Sequence, residues 1–352
     1  MEICSSAELP GYDRHQSYEW NYERAPSPVS LEVPAVQGKW SLCGLPVDSP
    51  LGIPAGPLLN GRWCLYYASL GFDVVTYKTV RSRARECYVM PNLQPVKCDQ
   101  VSEHITELPA SSTMNGSWAV SYGMPSMEPD VWRKDVQATR TALPPGKLLS
   151  VSVVATVQEG WTIDDIAEDY ALCARWAVES GADIVETNFS CPNVSTRDGQ
   201  LYQNPDAAQQ VADCVRSAIG QTPYIVKIGH VPSHAAAADL LDALRTSTSA
   251  IAMTNSVATQ VRDGSHLLFD GQRRGICGQA ILDASVDQVA MFHQLVVERR
   301  SDMELIGVGG ISSAADVQRY LSSGASACHL ATAAMTNPGI ALQIRSSLQP
   351  AG

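Results

Sequence analysis

Ala182-Asp183-Ile184-Val185-Glu186-Thr187-Asn188-Phe189-Ser190-Cys191-Pro192-Asn193 is a short apolar run that ends in amides, hydroxyls and a thiol. Such a run reads as a buried strand whose C-terminal end opens into a loop, so polar and nucleophilic groups emerge where a site would sit. Asn188 and Asn193 each offer an amide donor pair and a carbonyl acceptor, suited to a planar ligand with alternating ring NH and C=O edges. Cys191, between them, is able to move a proton. The plainer reading is that cysteine is among the most often buried residue types and Pro-Asn is an ordinary turn. The rest of the chain has to decide between the two.

Outward from this stretch the same unit recurs. Strands are expected at 52–55, 74–78, 148–154, 184–188, 224–228, 250–254, 304–308 and 327–330. Helical patterns lie between them, at 63–70, 131–142, 163–179, 207–219, 235–246, 285–299, 314–322 and 338–348. Near-continuous apolar strands alternating with amphipathic helices imply a parallel sheet covered by helices, and closure into a (β/α)8 TIM barrel uses every element. A doubly wound open sheet would usually carry G-x-G-x-x-G after its first strand; here Ala55-Gly-Pro-Leu-Leu-Asn-Gly61 follows it. Residues 1–36, rich in Pro, Tyr and Trp, read as an irregular N-terminal arm, and residues 37–352 as the barrel domain. A small hairpin with its turn at Gly44-Leu45-Pro46 is expected to close one barrel end. The long connections 80–129 and 256–283 belong on the active-site face, as covers or ligand contacts.

Composition narrows the function class. A chain of 352 residues with 45% hydrophobic and 17% charged residues is a globular protein with a large core. Its net charge of −11 argues against nucleic-acid binding, which rests on phosphate neutralisation by Lys and Arg. No run approaches the roughly 20 apolar residues that span a bilayer, and the polar N-terminus lacks a secretory signal pattern, so the expected location is cytoplasmic. The 10 cysteines include no C-x-x-C pair, so no metal site is expected and most should be small hydrophobes in a reducing compartment.

If the barrel is right, function should gather at strand C-termini. Gly307-Val308-Gly309-Gly310-Ile311-Ser312 follows the seventh strand, and Leu330-Ala331-Thr332-Ala333 the eighth. Loops in those places, with exposed backbone NH groups at a helix start, are this architecture's usual phosphate site; a tight Gly-Gly turn is the alternative. Lys78 and Lys227 end apolar runs, and an ammonium there must snorkel to solvent or meet a negative partner. Two lysines aimed into one mouth point to an anionic or electron-rich ligand. Asn255-Ser256 adds a third amide to Asn188 and Asn193.

Together these motifs carry a specific resemblance. Ile53-Pro-Ala-Gly56, Tyr77-Lys-Thr79, Thr187-Asn-Phe-Ser-Cys-Pro-Asn193, Ile225-Val-Lys227, Thr254-Asn-Ser256, Gly275-Ile-Cys-Gly278, Gly307-Val-Gly-Gly-Ile311 and Leu330-Ala-Thr332 occur in the order seen in dihydroorotate dehydrogenases, over about residues 38 to 345. The resemblance implies a flavin mononucleotide (FMN) barrel in which a base removes a ring proton of dihydroorotate while hydride passes to the flavin. The cysteine makes the chain similar to the family's soluble class 1, in which that cysteine is the base. Carried over, Cys191 would be catalytic. Lys78, Asn188, Asn193, Asn255 and Ser256 would bind substrate. Ala55, Gly56, Lys78, Thr79, Lys227 and Thr254 would line the flavin, Lys227 near its N1-C2=O edge. Gly278, Gly309, Gly310, Ala331 and Thr332 would surround its phosphate. Two segments depart from the pattern: where the family has an Asn-Ser-Met-Gly-Leu-Pro-Asn type run whose first asparagine contacts orotate, this chain has Val120-Ser-Tyr-Gly-Met-Pro-Ser126, with Asn115 nearby as a compensating amide, and Gly229-His230-Val231-Pro232 after Lys227 is also off pattern.

The rival readings are a dihydropyrimidine-dehydrogenase-like pyrimidine reductase, a dihydrouridine synthase, and a catalytically silent flavin-binding barrel subunit. The first would need iron-sulfur partners and the second a basic RNA-binding extension; retention of Cys191, both lysines and three asparagines speaks against the third. A small dihydroorotate-like substrate is the expected partner, with no nucleic acid and no membrane. A homodimer is the default assembly, and the electron acceptor stays open among fumarate, a nicotinamide-linked partner subunit and a quinone.

Overall fold

The computed structural model describes residues 9–101, 105–190 and 200–348. Within them, eight parallel strands close into a barrel: β1 (Leu51–Ile53), β2 (Val74–Val80), β3 (Leu148–Val153), β4 (Ile184–Asn188), β5 (Tyr224–Lys227), β6 (Ala250–Met253), β7 (Glu304–Val308) and β8 (Ala327–His329). Neighbours in sequence are neighbours in the barrel, and the ring closes where Cys328 and His329 of β8 pair with Leu51 and Gly52 of β1. The outer ring is α1 (Gly61–Ser69), α2 (Pro129–Ala142), α3 (Ile163–Glu179), α4 (Pro205–Ile219), α5 (His234–Leu244), α6 (Leu282–Glu298), α7 (Ala314–Ser322) and α8 (Ile340–Ser347). This is a (β/α)8 TIM barrel, as the alternation of patterns predicts.

Local chemistry sets the helix starts. Asn60, Thr162, Asn204, Ser233 and Ser313 cap α1, α3, α4, α5 and α7 with side-chain oxygens that accept from backbone N–H groups. Thr162 and Asp165 form a reciprocal capping box, and Pro205 occupies the first turn of α4. Apolar periodicity alone starts α4 two residues late because it does not see the cap.

The barrel bottom is plugged by a hairpin of Trp40–Leu42 against Leu45–Val47. Leu42 packs on Val74, Leu148, Ile184, Ile225, Ala250, Ile306 and Ala327, the inward residues near the strand N-termini. Its turn is Cys43-Gly44, both with positive φ, instead of Gly44-Leu45-Pro46: Leu42 pairs with Leu45, leaving a two-residue loop.

The two long connections are more ordered than a loop reading anticipates. They combine into a six-stranded sheet, ordered His266–Leu267, Val257–Asp263, Arg274–Gly278, Ser117–Val120, Leu93–Pro95, with Glu107–Pro109 alongside Val257–Asp263. Ala119, Leu108, Val261 and Ile276 share a small apolar core on one side of this sheet. Gly116, Trp118 and Val120, on the alternate positions, line the barrel mouth. In the arm, Ser17 caps a short helix, Tyr18–Glu23. The arm is tied to α1 by Trp63 Nε1–H donating to Asn21 O at 3.1 Å and Asn60 Nδ2–H to Tyr22 O at 2.8 Å.

At the bottom, fully buried Asp73 accepts from Ser49 Oγ, Lys147 Nζ and, at 3.0 Å, Arg345 Nη1 of α8. Arg345 also donates to Gly71 O at 3.0 Å and Pro34 O at 2.6 Å, so one guanidinium joins the last helix to the arm and to the start of β2. Removing one partner of a buried ion pair typically costs about 3 to 5 kcal/mol. Arg345→Met should therefore lower the thermal unfolding midpoint by several degrees; an unchanged midpoint would show that Lys147 and Ser49 suffice for Asp73.

Candidate active site

The β-strand C-termini surround one buried cavity roofed by the insertion sheet. Gly56, Lys78, Thr79, Asn188, Lys227, Asn255, Gly278, Gly309, Gly310, Ala331 and Thr332 all line it. Ala55, Thr254 and Ser256 are buried but do not line it. Cys191 and Asn193 lie outside the described residues. Trp118, Tyr122, Met124, Cys277 and His329 also line the cavity. Tyr122 and Met124 lie in the departing run 120–126 and Cys277 in the run 275–278, where the sequence assigns them no role; Trp118 sits on a short insertion strand whose face the sequence does not show, and His329 is legible only as the one polar residue ending an apolar strand.

Alternation along each strand brings these groups together. In β4, Ile184 joins the bottom plug, Glu186 points into the middle of the barrel beside Lys227, and Asn188 reaches the cavity. Lys227 Nζ lies 3.4 Å from Glu186 Oε1, both nearly inaccessible, and Glu186 Oε1 makes no hydrogen bond among the described residues. The carboxylate holds the ammonium by charge, as a buried lysine requires. Lys78 Nζ sits 5.4 Å from the Tyr122 ring centroid, a cation–π geometry.

The amides are oriented from behind. Asn188 Oδ1 accepts from Ser190 N at 3.1 Å, and among the described residues its Nδ2–H meets the weak acceptor Met124 Sδ at 3.5 Å, which leaves its amide donor capacity for a ligand in the cavity. Asn255 Nδ2–H donates to Ser190 O at 2.9 Å, and the Cys277 thiol donates to Asn255 O at 3.4 Å. Burial pushes the Cys277 thiol up to about 12 despite the nearby Lys227 charge, so it stays protonated.

The glycines make room on the opposite side. Gly310 has φ +76°, and a Cβ there would stand 2.5 Å from Leu282 Cβ and 2.7 Å from its Cα, so the loop after β7 can lie against α6 only as glycine. At Gly56 a Cβ would meet nothing within 4 Å, and since Gly56 lines the cavity, a side chain there would occupy ligand space. The site thus has a glycine-walled end suited to a phosphate, a buried lysine–glutamate pair in the middle, and an amide-and-lysine end suited to a small polar ring. These features fit FMN and a pyrimidine-like substrate. No helix among the described residues is long and apolar enough to cross a membrane, and no group of His, Cys, Asp or Glu among them could hold a metal ion.

Comparison with known proteins identifies the family. The family model described as dihydroorotate dehydrogenase matches residues 39–351. Dihydroorotate dehydrogenase of Dictyostelium discoideum is 31% identical over 358 residues, covering 95% of this chain and 96% of the relative. The dihydroorotate dehydrogenase B (NAD(+)) catalytic subunit of Methanocaldococcus jannaschii is 23% identical, over 83% of this chain and 85% of that one. The crystal structure of DHODH from Eimeria tenella in complex with ferulenol superposes with TM-score 0.73 at 18% identity, over 94% of this chain and 88% of that one, which speaks to the fold. With a family model spanning most of its length and a relative at 31% identity matched nearly end to end, the chain belongs to the dihydroorotate dehydrogenase family.

Proposed function

We propose that this protein oxidises dihydroorotate, or a closely related cyclic amide, to the ring-unsaturated product, with FMN in the cavity and Cys191 as the base. The observation that carries this reading is the convergence in one roofed cavity of Lys78, Asn188 and Asn255 with Lys227 and the glycine-walled loops after β7 and β8. The match to the Dictyostelium dihydroorotate dehydrogenase over 96% of that enzyme supports the substrate.

When bound, FMN would supply the hydride acceptor. Gly309, Gly310, Ala331 and Thr332 would hold its phosphate, and Lys227, pinned by Glu186, would offset negative charge gathering on its ring. Asn188, Asn193 and Asn255 would bind the amide edges of the substrate, while the Lys78 ammonium would offset its carboxylate. Trp118 and Val120 of the insertion sheet, which line the cavity, would help to keep water from the reacting atoms. Cys191, in Ser-Cys-Pro-Asn, would take the ring proton. A thiol with a pKa near the ordinary value of about 8.5 is mostly protonated at neutral pH, so its active thiolate form grows as pH rises.

Three outcomes test this reading. The purified protein should carry or take up one FMN per chain, and Lys227→Ala should bind it more weakly or lower its reduction potential; a folded parent that takes up no flavin contradicts the cofactor assignment. Val120 lines the cavity where the family's segment begins with asparagine, so Val120→Asn should tighten orotate binding by about 1 to 3 kcal/mol through one restored buried hydrogen bond. Calorimetry showing no orotate binding to either form would point to another substrate. Finally, Cys191→Ala should slow substrate oxidation by about 10² to 10⁴-fold, as for a lost general base, and the parent's rate should climb with pH through the thiol's ionisation. Stopped-flow traces equal for parent and variant across the pH range would make Cys191 a packed cysteine only.

A further inference from the structure

His329 ends β8 inside the barrel, at the strand pair that closes it. It is 1% exposed, lines the cavity, and neither ring nitrogen has a hydrogen-bond partner among the described residues. Its ring fills the notch left by Gly52 on β1: a Cβ at Gly52 would stand 2.3 Å from His329 Cδ2 and 2.4 Å from Nε2. Burial, then the positive charge of Lys227, pushes the imidazole down to about 3, so it is neutral and carries one N–H donor and one lone-pair acceptor. Two such groups buried without partners are costly, and native structures rarely leave them so. A bound molecule that both donates and accepts would satisfy them.

The place of His329 selects that molecule's part. Ala331 and Thr332, on the glycine-walled side, follow it by two and three residues, and Lys227 is near enough to influence its protonation. With its phosphate in the glycine-walled loops and its ring edge at Lys227, FMN would span this place with its ribityl chain, whose hydroxyls donate and accept alike. We infer that His329 hydrogen-bonds the ribityl chain of bound FMN and so sets the seat of the cofactor between the phosphate loops and Lys227. This inference rests on the flavin reading above. A neutral partner fits this place because a second cation beside Lys227 would repel it; the carboxylate on that side is Glu186, already spent on Lys227.

The test compares His329→Leu and His329→Gln with the parent in three readouts: FMN dissociation constant, visible spectrum of the bound flavin, and melting temperature of the apo protein. Leu removes two unsatisfied buried nitrogens, so the apo form should melt at or above the parent's temperature, while FMN binding weakens about tenfold. Gln, neutral with a donor and an acceptor, should bind within a few-fold of the parent. The spectrum should stay that of the parent in both, because the contact is to the chain and not to the ring. Parent-like FMN affinity in His329→Leu overturns the inference, as does a displaced spectrum, which would place the contact on the ring. A lowered apo melting temperature with equal weakening in Leu and Gln also overturns it, by making the imidazole a packing group against Gly52. Should His329→Leu fail to fold, His329→Phe keeps a flat ring in the same notch and carries the same expectation. A parent that binds no FMN removes the flavin reading itself, whereas the variant outcomes bear on His329 alone.

Discussion

Everything in this molecule depends on one seam, the short parallel pairing of β8 with β1. Residues 328 and 329 meet residues 51 and 52 across nearly the whole chain. Closing the ring abolishes free strand edges and turns eight separate C-termini into one mouth. The seam tolerates no side chain at position 52, since the His329 ring already holds that space. A residue that touches the cavity and a residue that permits closure are thus adjacent, and fold and site share a constraint at this point.

The barrel interior is divided by height. Below, the inward residues Val74, Leu148, Ile184, Ile225, Ile306 and Ala327 form a dry layer sealed by Leu42 of the hairpin. Above it the inward positions turn polar: Thr76, Ser150, Glu186, Lys227 and His329 are all buried. Several of their polar atoms, including Thr76 Oγ1 and Ser150 Oγ, have no partner among the described residues. A polar middle layer weakens a core, because each unsatisfied group forfeits its hydration. The apolar floor and the Asp73–Arg345–Lys147 network below supply the stability against which that layer is held. The division matches an enzyme whose ligand completes the upper half.

Much of this was legible in the sequence where one physical signal dominated. Ile184–Asn188 and Glu304–Val308 are apolar runs with polar ends, and they lie where that pattern places them. Asn188 and Lys227 end barrel strands, Asn255 follows one, and Lys78 lies two residues inside the end of β2, which runs on to Val80; all four reach one cavity, and the pattern reveals that end of each strand. The insertion sheet was hidden for opposite reasons. Leu93–Pro95 and Glu107–Pro109 have 3 residues each and end in proline, too short for alternation to register, and their partners are far away in sequence. Trp118, on the strand that pairs with Leu93–Pro95, is hidden as a wall residue for that reason. His329 was hidden differently, since nothing local shows that an inward position on a strand of 3 residues lacks a hydrogen-bond partner.

The central claim is that the cavity joins a flavin to a dihydropyrimidine ring, and anaerobic addition of dihydroorotate to the flavin-loaded protein tests it most directly. The account predicts that the visible flavin absorbance bleaches and that one orotate forms for each flavin reduced. A flavin-loaded, folded protein whose absorbance stays unchanged at saturating dihydroorotate would contradict it.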